Sequence, residues 1–118
     1  MAEIALQLTL DRVQRGQLFA HLHVYLFHLG LHPGDSRHQA RREIMLEVAC
    51  RLKYACRDER ERVAFPINSQ ESQAIKEVLL LLKPVYEQAG PTRMSAFALD
   101  HLAACSQFIE EAEQHVSE

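Results

Sequence analysis

Five of the seven histidines in this chain of 118 residues lie between positions 21 and 38, inside an otherwise apolar stretch. Histidine titrates near neutral pH and is the commonest protein ligand of metal ions. A group of this kind could form a metal site, a proton-handling site or a pH-sensitive surface. The five residues are His21, His23, His28, His32 and His38.

Only one pair of these histidines has a chelating helical spacing. His28 and His32 are four residues apart, so two imidazoles on one helical turn could meet a single metal ion. Pro33 argues against a helix that reaches His32, because the residue before a proline is pushed out of the α region. The chain also lacks the Glu-x-x-His repeats of helical di-iron bundles. We therefore predict no metal and no cofactor.

Arg15 and His21 match a second pattern, the Arg-x(4–6)-His spacing of HEPN-type ribonucleases, which are also small helical bundles. With ten Arg and seven His in the chain, about two such matches are expected by chance. On a continuous helix the two side chains differ in direction by about 240°, which places them on different faces. A metal-linked or HEPN-like ribonuclease remains an alternative, and the sequence predicts that the protein is not an enzyme.

One segment of the chain is locally basic. Arg37, Arg41 and Arg42 lie close together beside the histidine-rich stretch and could contact phosphates. The formal net charge of −3 gives no overall field that would hold a nucleic acid. A nucleic-acid-binding regulator that uses these arginines is therefore a second alternative.

Composition bounds the class of protein. Hydrophobic residues make up 47% of the chain and charged residues 25%, which is typical of a folded domain, and we predict one domain over residues 1–118. The N-terminal residues do not resemble a secretory signal, and the longest apolar stretch is too short to cross a membrane. Cys50, Cys56 and Cys105 fit no zinc spacing. We expect reduced thiols and a cytoplasmic location.

Four segments with helical periodicity predict an all-α fold, either a bundle or an irregular array of about four helices. Ser36 with Gln39, and Asn68 with Glu71, have the spacing of capping boxes at helix starts. Pro84 should kink or end the third helix. The predicted segments are 11–29, 36–62, 68–84 with a short continuation to 89, and 92 to the C-terminus.

The first residues carry a competing signal. Ile4, Leu6, Leu8 and Leu10 alternate with polar or small residues, which is the period of a β-strand. A hairpin with residues 22–29 as its second strand is therefore an alternative to a helical N-terminus.

The first helical segment has more apolar residues than one core-facing stripe requires. Phe19, Tyr25, Phe27 and Leu31 are the excess, and Phe27 lies opposite Leu18 on a helical wheel. We predict that these four residues form a protein interface. The leading hypothesis is a small non-enzymatic helical adaptor or regulatory protein that binds protein, as a homodimer or on a larger partner.

Overall fold

A computed structural model describes residues 6–29, 36–88 and 93–117. Four α-helices dominate this part of the chain, and the prediction of a mostly helical array is confirmed. A two-stranded sheet accompanies them. In chain order the elements are β1 (Leu6–Asp11), α1 (Arg12–Val24) with a π-helical extension (Tyr25–Leu29), α2 (Ser36–Cys56), β2 (Arg62–Ile67), α3 (Ser69–Gln88) and α4 (Arg93–Ser117).

The two strands pair antiparallel, with Leu6 opposite Ile67 and Asp11 opposite Arg62. Their buried and exposed residues alternate, because successive side chains of a strand point to opposite faces. The strand alternative for the N-terminal alternation is thus correct for residues 6–10, while Ile4 lies outside the described residues. Two expectations are wrong: residues 22–29 are helical and do not pair with β1, and α2 ends at Cys56, so it does not reach Arg62.

Helix α1 begins immediately after β1 with a capping box. The side chain of Asp11 accepts a hydrogen bond from the amide of Gln14 at 2.8 Å, and the amide of Asp11 donates to Oε1 of Gln14 at 2.9 Å. These two bonds satisfy amides that the first helical turn would otherwise leave without acceptors. They also link the last residue of β1 to the first turn of α1.

Helix α3 begins with the capping box that Asn68 and Glu71 predict. The amide of Glu71 donates to the Asn68 side chain at 2.7 Å, and the amide of Asn68 donates to the Glu71 carboxylate at 3.0 Å. Arg51 of α2 pairs with the same carboxylate and also donates to the carbonyl of Pro66 at 3.1 Å. This group joins α2, β2 and α3. Helix α3 then continues through Pro84 to Gln88.

The core lies where α1, the sheet and the other helices meet, and each described element contributes to it. Its largest fully buried apolar side chains come from both strands and all four helices: Leu8, Leu10, Leu18, Leu22, Tyr25, Met45, Leu52, Ile67, Ile75, Leu82 and Ile109. Across the described residues, no helix combines the length and the apolarity that a membrane crossing demands.

Candidate functional site

Helix α1 and its π-helical extension present apolar residues on two sides. The inner side buries Leu18, Leu22 and Tyr25 in the core. The outer side carries an exposed row with alternating spacings of three and four residues, which keeps the row on one helical face. We call this row the outer stripe: Val13, Gly16, Ala20, His23 and Phe27.

Aromatic stacking orders the C-terminal half of the outer stripe. The ring of His23 lies 4.3 Å from that of Phe27 and 6.0 Å from that of Phe19, measured between centroids. Offset or tilted contacts at these separations are favourable for aromatic rings. Phe27 nevertheless leaves 62% of its surface exposed to solvent. The stripe thus presents an ordered aromatic surface to whatever approaches α1.

The N-terminal half of the outer stripe is shallow. A Cβ atom added to Gly16 would meet nothing within 4 Å, so no close packing within the chain requires glycine there. Glycine inside a helix destabilises it by about 1 kcal/mol relative to alanine. Gly16 and Ala20 together leave room for another helix to approach the α1 backbone closely. None of the five outer-stripe residues is Asp, Glu, Lys or Arg.

The predicted interface residues differ in how far they are exposed in the structure. Phe27 is exposed, and Phe19 is partly buried against the core while it contacts His23. The prediction for Tyr25 is wrong, because this side chain is fully buried and offers no surface to a partner. Leu31 lies outside the described residues. Sequence reasoning missed Val13, Gly16 and Ala20, although their alternating spacing with His23 and Phe27 was a detectable signal.

A polar cluster lies behind this surface, between α1, α3 and α4. Nδ1 of the buried His21 is hydrogen-bonded to the hydroxyl of Tyr86 at 2.9 Å. Removal from water, and then the nearby His101, lower the pKa of His21 to about 4, while the backbone of His101 opposes the shift more weakly. Burial raises the pKa of Cys105 to about 12 and also raises the pKa of Tyr86.

These pKa values determine what the cluster can do chemically. At neutral pH the imidazole of His21 is neutral and the thiol of Cys105 is protonated, because burial penalises both charged forms. A thiol nucleophile requires the thiolate, and a general acid or base works best with a pKa near the ambient pH. The cluster therefore suits a role in packing better than one in catalysis.

Arg15, the other member of the Arg–His pattern, serves a different part of the fold. Its guanidinium is buried and donates to the carbonyl of Arg60 at 2.9 Å and, at the limit of a hydrogen bond, to that of Asp58 at 3.5 Å. These carbonyls belong to the connection between α2 and β2. The polar contacts of His21 are with α3 and α4, so Arg15 and His21 share no polar partner among the described residues.

Of the three arginines predicted to contact phosphate, the structure describes the side chains of Arg41 and Arg42, and both are partly buried. Arg41 donates to the carboxylate of Glu77 at 3.0 Å, and its side chain is only 10% exposed. The Nε atom of Arg42 is buried and has no hydrogen-bond partner among the described residues. The side chain of Arg37 lies outside the described set.

The described residues also contain no group of three or more His, Cys, Asp or Glu side chains that could hold a metal ion. The pair His28 and His32 cannot be included in this statement, because neither side chain is described. All three cysteines are free thiols: Cys50 and Cys56 are exposed and Cys105 is buried. Burial raises the pKa of Cys56 despite the opposing effect of Arg15.

Comparison with protein-family models, with curated proteins and with solved structures found no match.

Proposed function

We propose that the protein is a non-enzymatic helical module that acts by protein–protein binding and associates with a second copy of itself through the outer stripe of α1. The observation that carries the proposal is the exposed Phe27, stacked on His23 at 4.3 Å within a row that lacks Asp, Glu, Lys and Arg. Exposed apolar rows of this kind mark interaction surfaces in soluble proteins.

The size pattern of the stripe fits a two-fold antiparallel pairing. With the two helices centred on Ala20, Val13 of one copy lies opposite Phe27 of the other, and Gly16 lies one residue from the position opposite His23. The rings of His23 and Phe27 of each copy then pack against the N-terminal half of the outer stripe of the other copy. A two-fold interface must be self-complementary in this way, since the same patch is used by both subunits.

The length of the outer stripe determines how strongly we expect the two copies to associate. From Val13 to Phe27 the helix rises by about 21 Å, at roughly 1.5 Å per residue. One helix face of this length gives an interface smaller than the roughly 1,200 to 2,000 Å² of standard stable complexes. We therefore expect a weak, concentration-dependent dimer.

Sedimentation velocity over a wide range of protein concentration tests the proposal. The wild type should shift from monomer to dimer, whereas Phe27→Asp should stay monomeric because association would bury an unpaired carboxylate in the stripe. Tyr54→Asp is the matched control, since Tyr54 is a 72% exposed aromatic residue on α2. A wild type that stays monomeric at the highest concentration, or a dimer that survives Phe27→Asp, would overturn the proposal.

Two further parts of the proposal have separate support. The absence of catalysis is supported by the neutral His21 and the protonated Cys105 of the buried cluster. A cytoplasmic location is supported by the three free thiols, because disulfides are rare in that compartment. Activity screens with and without RNA, and localisation of the protein in its own cells, test these two parts.

A further inference from the structure

A cleft of about 470 Å³ lies between α3 and α4. It shares no residue with the outer stripe of α1. Pockets that hold small molecules have volumes of roughly 300 to 1,000 Å³ and are mostly apolar, with a few polar groups that orient the ligand. The size of this cleft therefore suits a small molecule.

The floor and one wall of the cleft are hydrocarbon. Leu79 and Leu102 are core residues that form the floor, and Ala103 lines the α4 side. Leu80 lines the cleft from α3 while 72% of its surface remains exposed. An alkyl chain in the cleft would cover this leucine and gain hydrophobic stabilisation in proportion to the apolar area removed from water.

The rim of the cleft carries one charge of each sign. Lys83 and Glu87 both line it from α3 and are four residues apart, so their Cβ atoms are about 5 to 6 Å from one another. Neither side chain forms an ion pair with a described residue. Lys before Glu is the weaker of the two helical orders for such a pair, so a pairing within α3 competes only weakly with a ligand for the two charges.

From this arrangement we propose that the α3–α4 cleft binds a zwitterionic single-chain amphiphile, with its alkyl chain on Leu79, Leu80 and Leu102. The anionic group of the ligand faces Lys83 and its cationic group faces Glu87. A purely anionic or cationic amphiphile would place a like charge beside one of the two rim residues and binds less tightly. The ligand is a dispersed molecule and not a membrane surface.

Isothermal titration calorimetry with decylphosphocholine, kept below its micelle-forming concentration, tests the proposal on the whole chain. The expected result is saturable binding of one molecule per chain. Decanoate and decyltrimethylammonium, each of which carries a single charge, should bind more weakly. Co-sedimentation with phosphatidylcholine vesicles distinguishes a membrane surface from a dispersed amphiphile as the source of the phosphocholine headgroup. Binding to vesicles without binding to dispersed decylphosphocholine would contradict the proposal.

Variants at exposed positions locate the binding. Lys83→Gln and Glu87→Gln should each weaken decylphosphocholine binding about two- to fivefold, which is the range of an exposed charge pair. Ala103→Phe should abolish binding by filling the cleft. Ala104→Phe is the matched control, because Ala104 is an exposed alanine next in sequence that does not line the cleft. The proposal would be overturned if the wild type did not bind decylphosphocholine or if Glu87→Gln bound it more tightly. It would also be overturned if Ala103→Phe and Ala104→Phe had equal effects.

Discussion

His21 of α1 and Tyr86 of α3 are joined by a 2.9 Å hydrogen bond between Nδ1 and the phenolic hydroxyl. The bond forms in a region where water is excluded from the imidazole, so it accompanies a neutral ring and a pKa of about 4. The pKa of His21 therefore differs between the folded chain and the unfolded chain, in which the ordinary value is 6.5. A difference of this kind links folding to protonation.

We predict that stability falls as the pH drops from 6.5 towards 4. In this range the unfolded chain binds a proton at His21 and the folded chain does not, so acid favours unfolding. Above pH 6.5 the effect is absent, and the full loss is on the order of 3 kcal/mol. Urea unfolding at several pH values checks this. His21→Gln should flatten the dependence and the exposed His23→Gln should keep it; parallel curves for His21→Gln and the wild type would contradict the prediction.

Arg15 is expected to contribute mainly through packing. Its Nε and Nη1 atoms are buried without a hydrogen-bond partner among the described residues, which offsets the bonds that Nη2 makes to carbonyls. Arg15→Ala should lower the free energy of unfolding by about 3 kcal/mol, because it leaves a cavity and unpaired carbonyls. Arg15→Met keeps most of the volume and should cost less than about 1.5 kcal/mol. If urea unfolding showed the same loss of unfolding free energy for Arg15→Ala and Arg15→Met, the hydrogen bonds from Arg15 to the carbonyls, and not its packing, would account for its contribution.

Glu71 combines two roles at the start of α3. It is buried, accepts the amide of Asn68 and pairs with Arg51. Glu71→Ala should destabilise the fold by about 2 to 4 kcal/mol, since it removes a capping acceptor and leaves the partly buried guanidinium of Arg51 without its carboxylate partner. Glu77→Ala removes a carboxylate that is 41% exposed and caps no helix, and it should cost less, about 1 to 2 kcal/mol, although its partner Arg41 is only 10% exposed. Thermal or urea unfolding of both variants tests this ranking, which a larger loss in Glu77→Ala would reverse.

Gly16 gives a prediction in which monomer stability and association move in opposite directions. Gly16→Ala should raise the free energy of unfolding of the dilute monomer by about 0.5 to 1 kcal/mol, because a Cβ meets no atom within 4 Å and alanine favours the helix. The same methyl group should weaken the proposed dimer, which uses close approach at this position. Unfolding at low concentration and sedimentation at high concentration measure the two effects, and stronger association in Gly16→Ala would argue against this geometry.

Structural features that depend on a few neighbouring residues could be predicted from the sequence. The capping box at Asn68 and the alternation of Leu6, Leu8 and Leu10 predicted local structure that is present. Strand β2 was missed although Val63, Phe65 and Ile67 alternate in the same way, because Pro66 and the charged residues before it resemble a loop. In a two-stranded sheet each strand has one free edge, so a residue without an amide N–H is tolerated there.

For the candidate site, the sequence predicted that Phe27 and Tyr25 belong to a protein interface; Phe27 is exposed, whereas Tyr25 is fully buried. The helical spacing that places Leu18 and Leu22 in the core also includes Tyr25. This spacing indicated a buried Tyr25, whereas the interface prediction had relied on Tyr25 being aromatic. Gly16 and Ala20 carry little hydrophobicity, and their role depends on empty space beside them, which only the tertiary structure reveals. The cleft between α3 and α4 likewise depends on how two helices pack against each other.

The pairing of β1 with β2 also bears on how the chain folds. Helices α1 and α2 lie within residues 12–61, which separate the two strands, so the sheet closes a long loop of backbone. The entropy of that closure must be overcome before the first hydrogen bond between the strands contributes, which raises the contact order of an otherwise helical protein. A chain cut between α1 and α2 would still be joined across the sheet, so its two fragments should be able to reassemble.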